Sequence, residues 1–384
     1  VGHAVRAVYM YAGMADIAAI MRDSLYLKAI DKIWENVVSK KIYITGGLGA
    51  RHQGESFGNN YELPNLTSYN ETCAAIANVY WNHRMFLVHG HAKYIDVLER
   101  TLYNGLISGV SLDGKAFFYP NCLASDGKFK FNQGSLTRQP WFNCSCCPSN
   151  IIRFMPSIPG YIYAVKDNSI FVNLFIASEA KISLDGNEVK ISQETNYPWD
   201  GNVNIKVDSK LQSAVALKIR IPGWSADNPV PSDLYRFLDD NQNKFSILLN
   251  GEPVTYEIDR GYVVLSRKWN QNDMLKINFT MPVRRVIAHE LVKDDQGKVA
   301  LTRGPIVYCA EGIDNNNDVF NLVIPNDVEL TAHYQNDLLG GVNIINGVVR
   351  DKSGEKRQMM AIPYYSWSHR GPGEMTVWFQ RNSE

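Results

Sequence analysis

The sequence predicts an α + β multidomain protein, with a helical N-terminal region followed by an all-β remainder. Three observations carry this. Apolar residues recur at helical spacing up to about residue 158. Beyond residue 159 the period drops to two. Turn signals then appear at strand-like intervals: DGN at 185–187, NGE at 250–252 and DRG at 259–261.

Taken in order, VGHAVRAVYMYAGMADIAAIMRD opens the chain as an amphipathic helix. A second helix is read over 24–38, where Leu27, Ile30, Ile33, Trp34, Val37 and Val38 share one side. A third covers 72–88, with Ile76, Val79, Tyr80, His83, Phe86 and Leu87, and a fourth covers 91–107, with Tyr94, Ile95, Leu98, Thr101 and Leu102. Short turns between neighbours predict antiparallel helix pairs. Between the pairs runs YITGGLGARHQGESFGNNYELPN (43–65), a Gly-rich connection of a length that is uncommon unless functional. In the β region Leu217, Ile219 and Ile221 alternate with Lys218 and Arg220, and Leu275, Ile277 and Phe279 with Lys276 and Asn278. The simplest architecture is one or two sandwiches. NDLLGGVNIINGVV (336–349) fits neither period.

The 384 residues carry 39 basic and 39 acidic side chains, which removes the electrostatic case for nucleic acid or an anionic membrane as partner. No apolar run is read as approaching the ~18–20 residues of a membrane helix. The N-terminus has no initiator Met and no basic n-region, and it reads as a fragment or a processed product.

Three of the six cysteines fall within NCSCCPSN (143–150). Adjacent Cys146 and Cys147 make a poor disulfide, and a chain of this size needs no staples. A metal is the better reading. Glu71 and Cys73, in YNETCA (69–74), sit at a helix start, where the first turn can aim residues two apart at one point. With Cys146 and Cys147 they supply one oxygen and three sulfurs, a donor set suited to Zn²⁺. Spacing alone leaves zinc evenly matched against plain burial, because the two CxxC knuckles of a Cys₄ site are not present. Glu55, in GESFG (54–58), reads as a solvated loop acid, His3 as structural, and Cys309 as a core thiol.

GESFG, ETCA, FFYPN (117–121), CSCCPSN, IRIPGW (219–224) and RGPGEMTVW (370–378) together resemble the β-L-arabinofuranosidases of glycoside hydrolase family 127, with sister family 146 close. The resemblance runs essentially the whole chain. It implies a partial (α/α)₆ barrel followed by two β-sandwich domains. The expected domains are 1–158, the C-terminal half of the barrel; 159–282 plus 374–384, the first sandwich; and 283–373, the second. It also implies retaining hydrolysis with Cys146 as nucleophile and Glu55 as acid/base. Zinc is then held by Glu71, Cys73, Cys146 and Cys147, and His3 and Tyr119 line the sugar pocket.

The implied partner is an oligosaccharide or glycan substrate, of plant type. A half barrel would expose an apolar face for a second copy or a partner chain to cover. Against hydrolysis stands a second expectation, a catalytically inactive, zinc-stabilised carbohydrate-binding or scaffold fragment. A third keeps the fold and the zinc but changes the sugar. Reduced thiols favour the cytoplasm over a periplasmic or secreted location, although zinc protects thiols there too.

Overall fold

The computed structural model describes residues 2–184, 187–209, 213–239 and 245–382. Among them, α1 (Ala4–Met21), α2 (Ser24–Lys40), α3 (Thr72–His89), α4 (Ala92–Arg100) and α5 (Cys146–Phe154) precede nearly all of the strands. The turns joining α1 to α2 and α3 to α4 are two residues each. Asp23 caps α2 through the Leu25 and Tyr26 N–H groups. Gly90 ends α3 at φ +63°, a left-handed conformation that glycine adopts without strain. Every residue of α3 from Thr72 to Val79 is buried, and α1, α4 and α5 pack around it.

One feature of α1 departs from the sequence reading: its length and composition match a membrane-crossing helix. Here Ala4, Val8, Ala12, Ala15 and Ala18 are buried, and the helix lies against α3. Met10, Ile17, Ile20 and Met21 are exposed. A second departure follows α4. The helix does not continue to residue 107 as α but becomes a π-turn at Thr101–Leu106 and then a 3₁₀ turn at Ile107–Gly109. Buried Thr101 and Asn104 donate their side chains to the Val97 and Arg100 carbonyls, loosening the ladder locally. Most of 110–145 is then irregular rather than helical.

Nearly all the described strands lie after residue 159, in three sheets. A six-stranded sheet runs in the order 252–253, 245–249, 273–279, 202–209, 187–195, 178–184. A five-stranded sheet runs 257–259, 262–267, 215–220, 169–172, 163–166. Val203, Ile205 and Val207 of one and Leu217 and Ile219 of the other share a single core, as the period of two requires. The expected DGN turn has Asp185 and Gly186 outside the described residues.

The remaining strands form an eleven-stranded sheet, and here the expected boundaries need correction. Residues 374–376 and 378–380 do not join the first sandwich. They pair with 306–311 and 298–303, because Phe379 buries itself with Val299 and Leu301. Two outlying segments also enter this sheet: Ala124–Asp126 pairs with Glu374–Thr376, and Tyr235–Phe237 with 286–288. The unclassified stretch near 336–349 holds the start of a long inner strand, Val342–Asp351.

Buried polar ties fix the helical layer on the β regions. Asn65 donates to Asp295 at 2.7 Å. The Arg138 guanidinium donates to the Trp367 and Tyr365 carbonyls at 2.6 and 3.1 Å. Arg220 pairs with Asp96 at 2.7 Å and with Glu99.

Candidate functional site

Two helix starts converge on one point. Glu71 is the N-cap of α3 and makes no side-chain cap, which leaves its carboxylate free to turn away from the helix. Cys73 follows in the first turn. The proline of CSCCPSN predicts a helix that starts after Pro148, but the other helix, α5, begins at Cys146. Pro148 sits in its first turn, where a missing N–H removes no helical bond. The ligand atoms of Glu71, Cys73, Cys146 and Cys147 all lie within 4.8 Å of one another. Cys73 and Cys146 approach at 3.0 Å between sulfurs, and the Cys147 thiol donates to Glu71 Oε1 at 3.5 Å. The positive ends of α3 and α5 both favour negative charge here.

These four acids share charge poorly among themselves. Burial pushes Glu71 up to about 8. Hydrogen bonds from Cys147 and Cys73 draw Cys146 down to about 2. The hydrogen bond with Cys146 raises the Cys73 thiol, and burial raises Cys147. Glu71 Oε2 is buried with no partner. A cation among them would satisfy that oxygen and neutralise the rest. The residues thus fit a tetrahedral site for a thiophilic metal.

Glu55 belongs to a second group. Arg51 and Ser56 exchange both backbone hydrogen bonds, closing a tight turn in which Gly54 and Glu55 take φ +68° and +48°. For glutamate that conformation is uncommon and is found where surroundings hold it. His3 Nε2 lies 2.8 Å from one Glu55 oxygen, and the Tyr69 hydroxyl donates to the other at 2.9 Å. Gln133 donates in turn to Tyr69 at 3.3 Å. Tyr119 is nearly buried, and its hydroxyl points at Cys144 Sγ at 3.8 Å. Cys144 itself is exposed, not packed, while Cys122 and Cys309 are buried.

Two cavities meet these groups. One of about 640 Å³ is lined by Glu55 and Tyr119 and extends over Gln133, Gln139, Trp141 and Asn143. The other, about 460 Å³, is lined by Cys73 and Cys146 with Tyr9, Asn150 and Arg153. Tyr69, Tyr9, Asn150 and Gln133 were not singled out by sequence reasoning. For Tyr69 a signal existed: it lies two residues before Glu71 in the same short motif.

Residues 1–160 match the β-L-arabinofuranosidase GH127 catalytic-domain model, 169–281 the GH127 middle domain and 283–380 the GH127 C-terminal domain. The chain belongs to glycoside hydrolase family 127. A non-reducing end β-L-arabinofuranosidase of Bifidobacterium longum subsp. longum is 34% identical over 99% of this GH127 chain and 59% of its own length. A solved GH127 β-arabinofuranosidase is 50% identical with a TM-score of 0.94, covering 99% of this chain and 60% of its own. A GH127 β-L-arabinofuranosidase from Geobacillus stearothermophilus T6 is 43% identical with a TM-score of 0.90, covering 99% and 61%. This GH127 chain therefore spans about three fifths of the relatives it matches.

Proposed function

We propose that the chain carries the reaction centre of a retaining hydrolase for β-L-arabinofuranosides or a similar furanose of plant-type glycans. The observation that carries this is the juxtaposition of a three-thiol, one-carboxylate cluster with a carboxyl group oriented by His3 and Tyr69. Zn²⁺ fits the cluster, with Glu71, Cys73, Cys146 and Cys147 as its ligands. When bound, it would keep the coordinating thiols ionised at neutral pH. The names of the relatives support the sugar.

Cys146, the half-buried thiol of the cluster, attacks the anomeric carbon. Glu55 gives its proton to the leaving oxygen. It then takes one from the water that cleaves the thioglycosyl bond, so that two inversions give net retention. His3 and Tyr69 hold the Glu55 carboxyl in place, and Tyr119 walls the sugar pocket. We read the helical layer as part of an (α/α)₆ barrel, followed by two sandwiches as its β domains. The apolar row Met10, Ile17, Ile20, Met21 and Leu25 supports this as a face for neighbouring helices.

Glu55→Gln is expected to slow hydrolysis of a saccharide-linked arabinofuranoside by about 10²–10⁴-fold. It should slow a nitrophenyl arabinofuranoside much less, because that leaving group needs little protonation. Steady-state rates on both substrates check this, and equal losses would remove the acid role from Glu55. Metal analysis of the purified chain is expected to find one zinc per chain, lost in Cys147→Ala. Zinc retained by that variant would break the ligand assignment. Zinc binding by the parent chain with no hydrolysis would select the inactive scaffold reading.

A further inference from the structure

Glu55 stands at the end of a hydrogen-bond relay that begins at a tight turn far along the chain. Asn132 and Ser135 exchange backbone hydrogen bonds at 3.0 and 3.1 Å, with two residues between them. Both of these have positive φ, +51° at Gln133 and +89° at Gly134. Two-residue turns of this kind ordinarily carry asparagine, aspartate or glycine at the first position, because a longer side chain pays for the left-handed backbone and gains nothing from it. Glutamine there costs local stability, and such a cost persists where the surroundings need the side chain.

The turn is anchored on both sides. The Asn132 carboxamide accepts from the Tyr119 N–H at 2.8 Å and donates to the Phe117 and Thr137 carbonyls at 3.2 and 2.8 Å. Gln139 donates to the Asn132 carbonyl at 2.5 Å. From this base the Gln133 amide donates to the Tyr69 hydroxyl at 3.3 Å, and that hydroxyl donates to Glu55 Oε1 at 2.9 Å. His52 braces the Tyr69 ring edge-on, with centroids 4.7 Å apart.

A phenol has one proton, which it can turn to either side of its C–O bond. With the Gln133 N–H on the accepting side, the proton is directed at Glu55. Oε1 is then already engaged, and the proton that Glu55 hands to a leaving oxygen is confined to Oε2, beside His3. Without the amide the hydroxyl can turn and accept, and the acid's proton is shared between both oxygens.

We propose that Gln133 is a positioning residue for the general acid: it orients the Tyr69 hydroxyl and so fixes which Glu55 oxygen carries the proton. This rests on the hydrolase reading above and adds to it the group that holds the acid in one geometry.

Gln133→Asn in the full chain tests it, because asparagine suits the turn but is one methylene too short to reach Tyr69. The thermal midpoint is expected to match or exceed the parent's. On a saccharide-linked arabinofuranoside kcat should fall about three- to tenfold with KM within about twofold, while a nitrophenyl arabinofuranoside slows by less than about twofold. Beside Tyr69→Phe the same substitution should cost nothing further, since the relay is already cut. A loss that persists beside Tyr69→Phe would mean that Gln133 touches the substrate. A lowered thermal midpoint with equal losses on both substrates would mean that it only builds the turn. Either result, or an unchanged kcat, overturns the positioning role alone. A parent chain that hydrolyses neither substrate, or a Glu55→Gln variant with equal losses on both, overturns the hydrolase reading and the positioning role with it.

Discussion

Cys146→Ser is expected to lower turnover of an arabinofuranoside by at least about 10⁴-fold, the scale on which loss of a covalent nucleophile is felt. The change is nearly isosteric, so packing is not the issue. What disappears is the one group of the cluster that combines a stabilised negative charge with access to a cavity. Hydrogen bonds from Cys147 and Cys73 hold Cys146 far below an ordinary thiol. Its neighbours Cys73 and Cys147 are buried and pushed the other way. A serine hydroxyl in the same place stays protonated and gains no comparable help. Zinc content is measured alongside the rate, since oxygen replaces a sulfur donor. Cys147→Ser is measured beside it, because it changes the same cluster but leaves the Cys146 thiol itself in place. If Cys146→Ser keeps turnover within tenfold of the parent, the nucleophile is another group.

The chemistry-bearing residues were legible because they sit in compact local motifs. ETC at a helix start and CC ahead of a proline are each fixed by the first turn of one helix, so spacing along the chain translates directly into spacing in the molecule. The same logic misplaced the start of α5, since proline is compatible with the first turn as well as with the residue before it. Trp141 and Gln133 were not legible. They belong to an irregular segment with no period, held in shape by Arg138 reaching carbonyls more than 200 residues away. Strand order failed for a related reason. Ala124–Asp126 is short, and its partner is Glu374–Thr376, at the far end of the chain. Alternation says that a strand exists and which face is apolar, but carries nothing on which edge it joins. The closing strands were assigned to the wrong sheet for that reason, and only the burial of Phe379 against Val299 and Leu301 selects the right one.

Arg220→Met is expected to destabilise the protein by about 3–5 kcal/mol, the cost of leaving buried charge without its partner. Arg220 lies in the alternating strand Val215–Arg220 and reads as one of its solvent-facing basic positions. The structure puts it at 0% exposure instead. Its guanidinium donates to Asp96 at 2.7 Å, to the Asn173 carbonyl at 2.6 Å, and to Glu99. Both carboxylates belong to α4, so the cluster joins the helical layer to the first sandwich. Burial alone would favour neutral acids, and Asp96 is already raised to about 6 by it, despite the arginine. Removing the cation leaves Glu99, which also accepts from Tyr197 at 2.7 Å, in a site that water does not reach. Methionine fills most of the volume, so the loss is electrostatic rather than a cavity. The measurement is the urea midpoint of Arg220→Met beside that of Arg220→Met/Asp96→Asn/Glu99→Gln. The triple variant removes the stranded charges and should recover much of the loss. A triple variant as unstable as the single one would mean that arginine acts through its contacts with the Asn173 carbonyl and the Phe175 ring, not through the ion pairs.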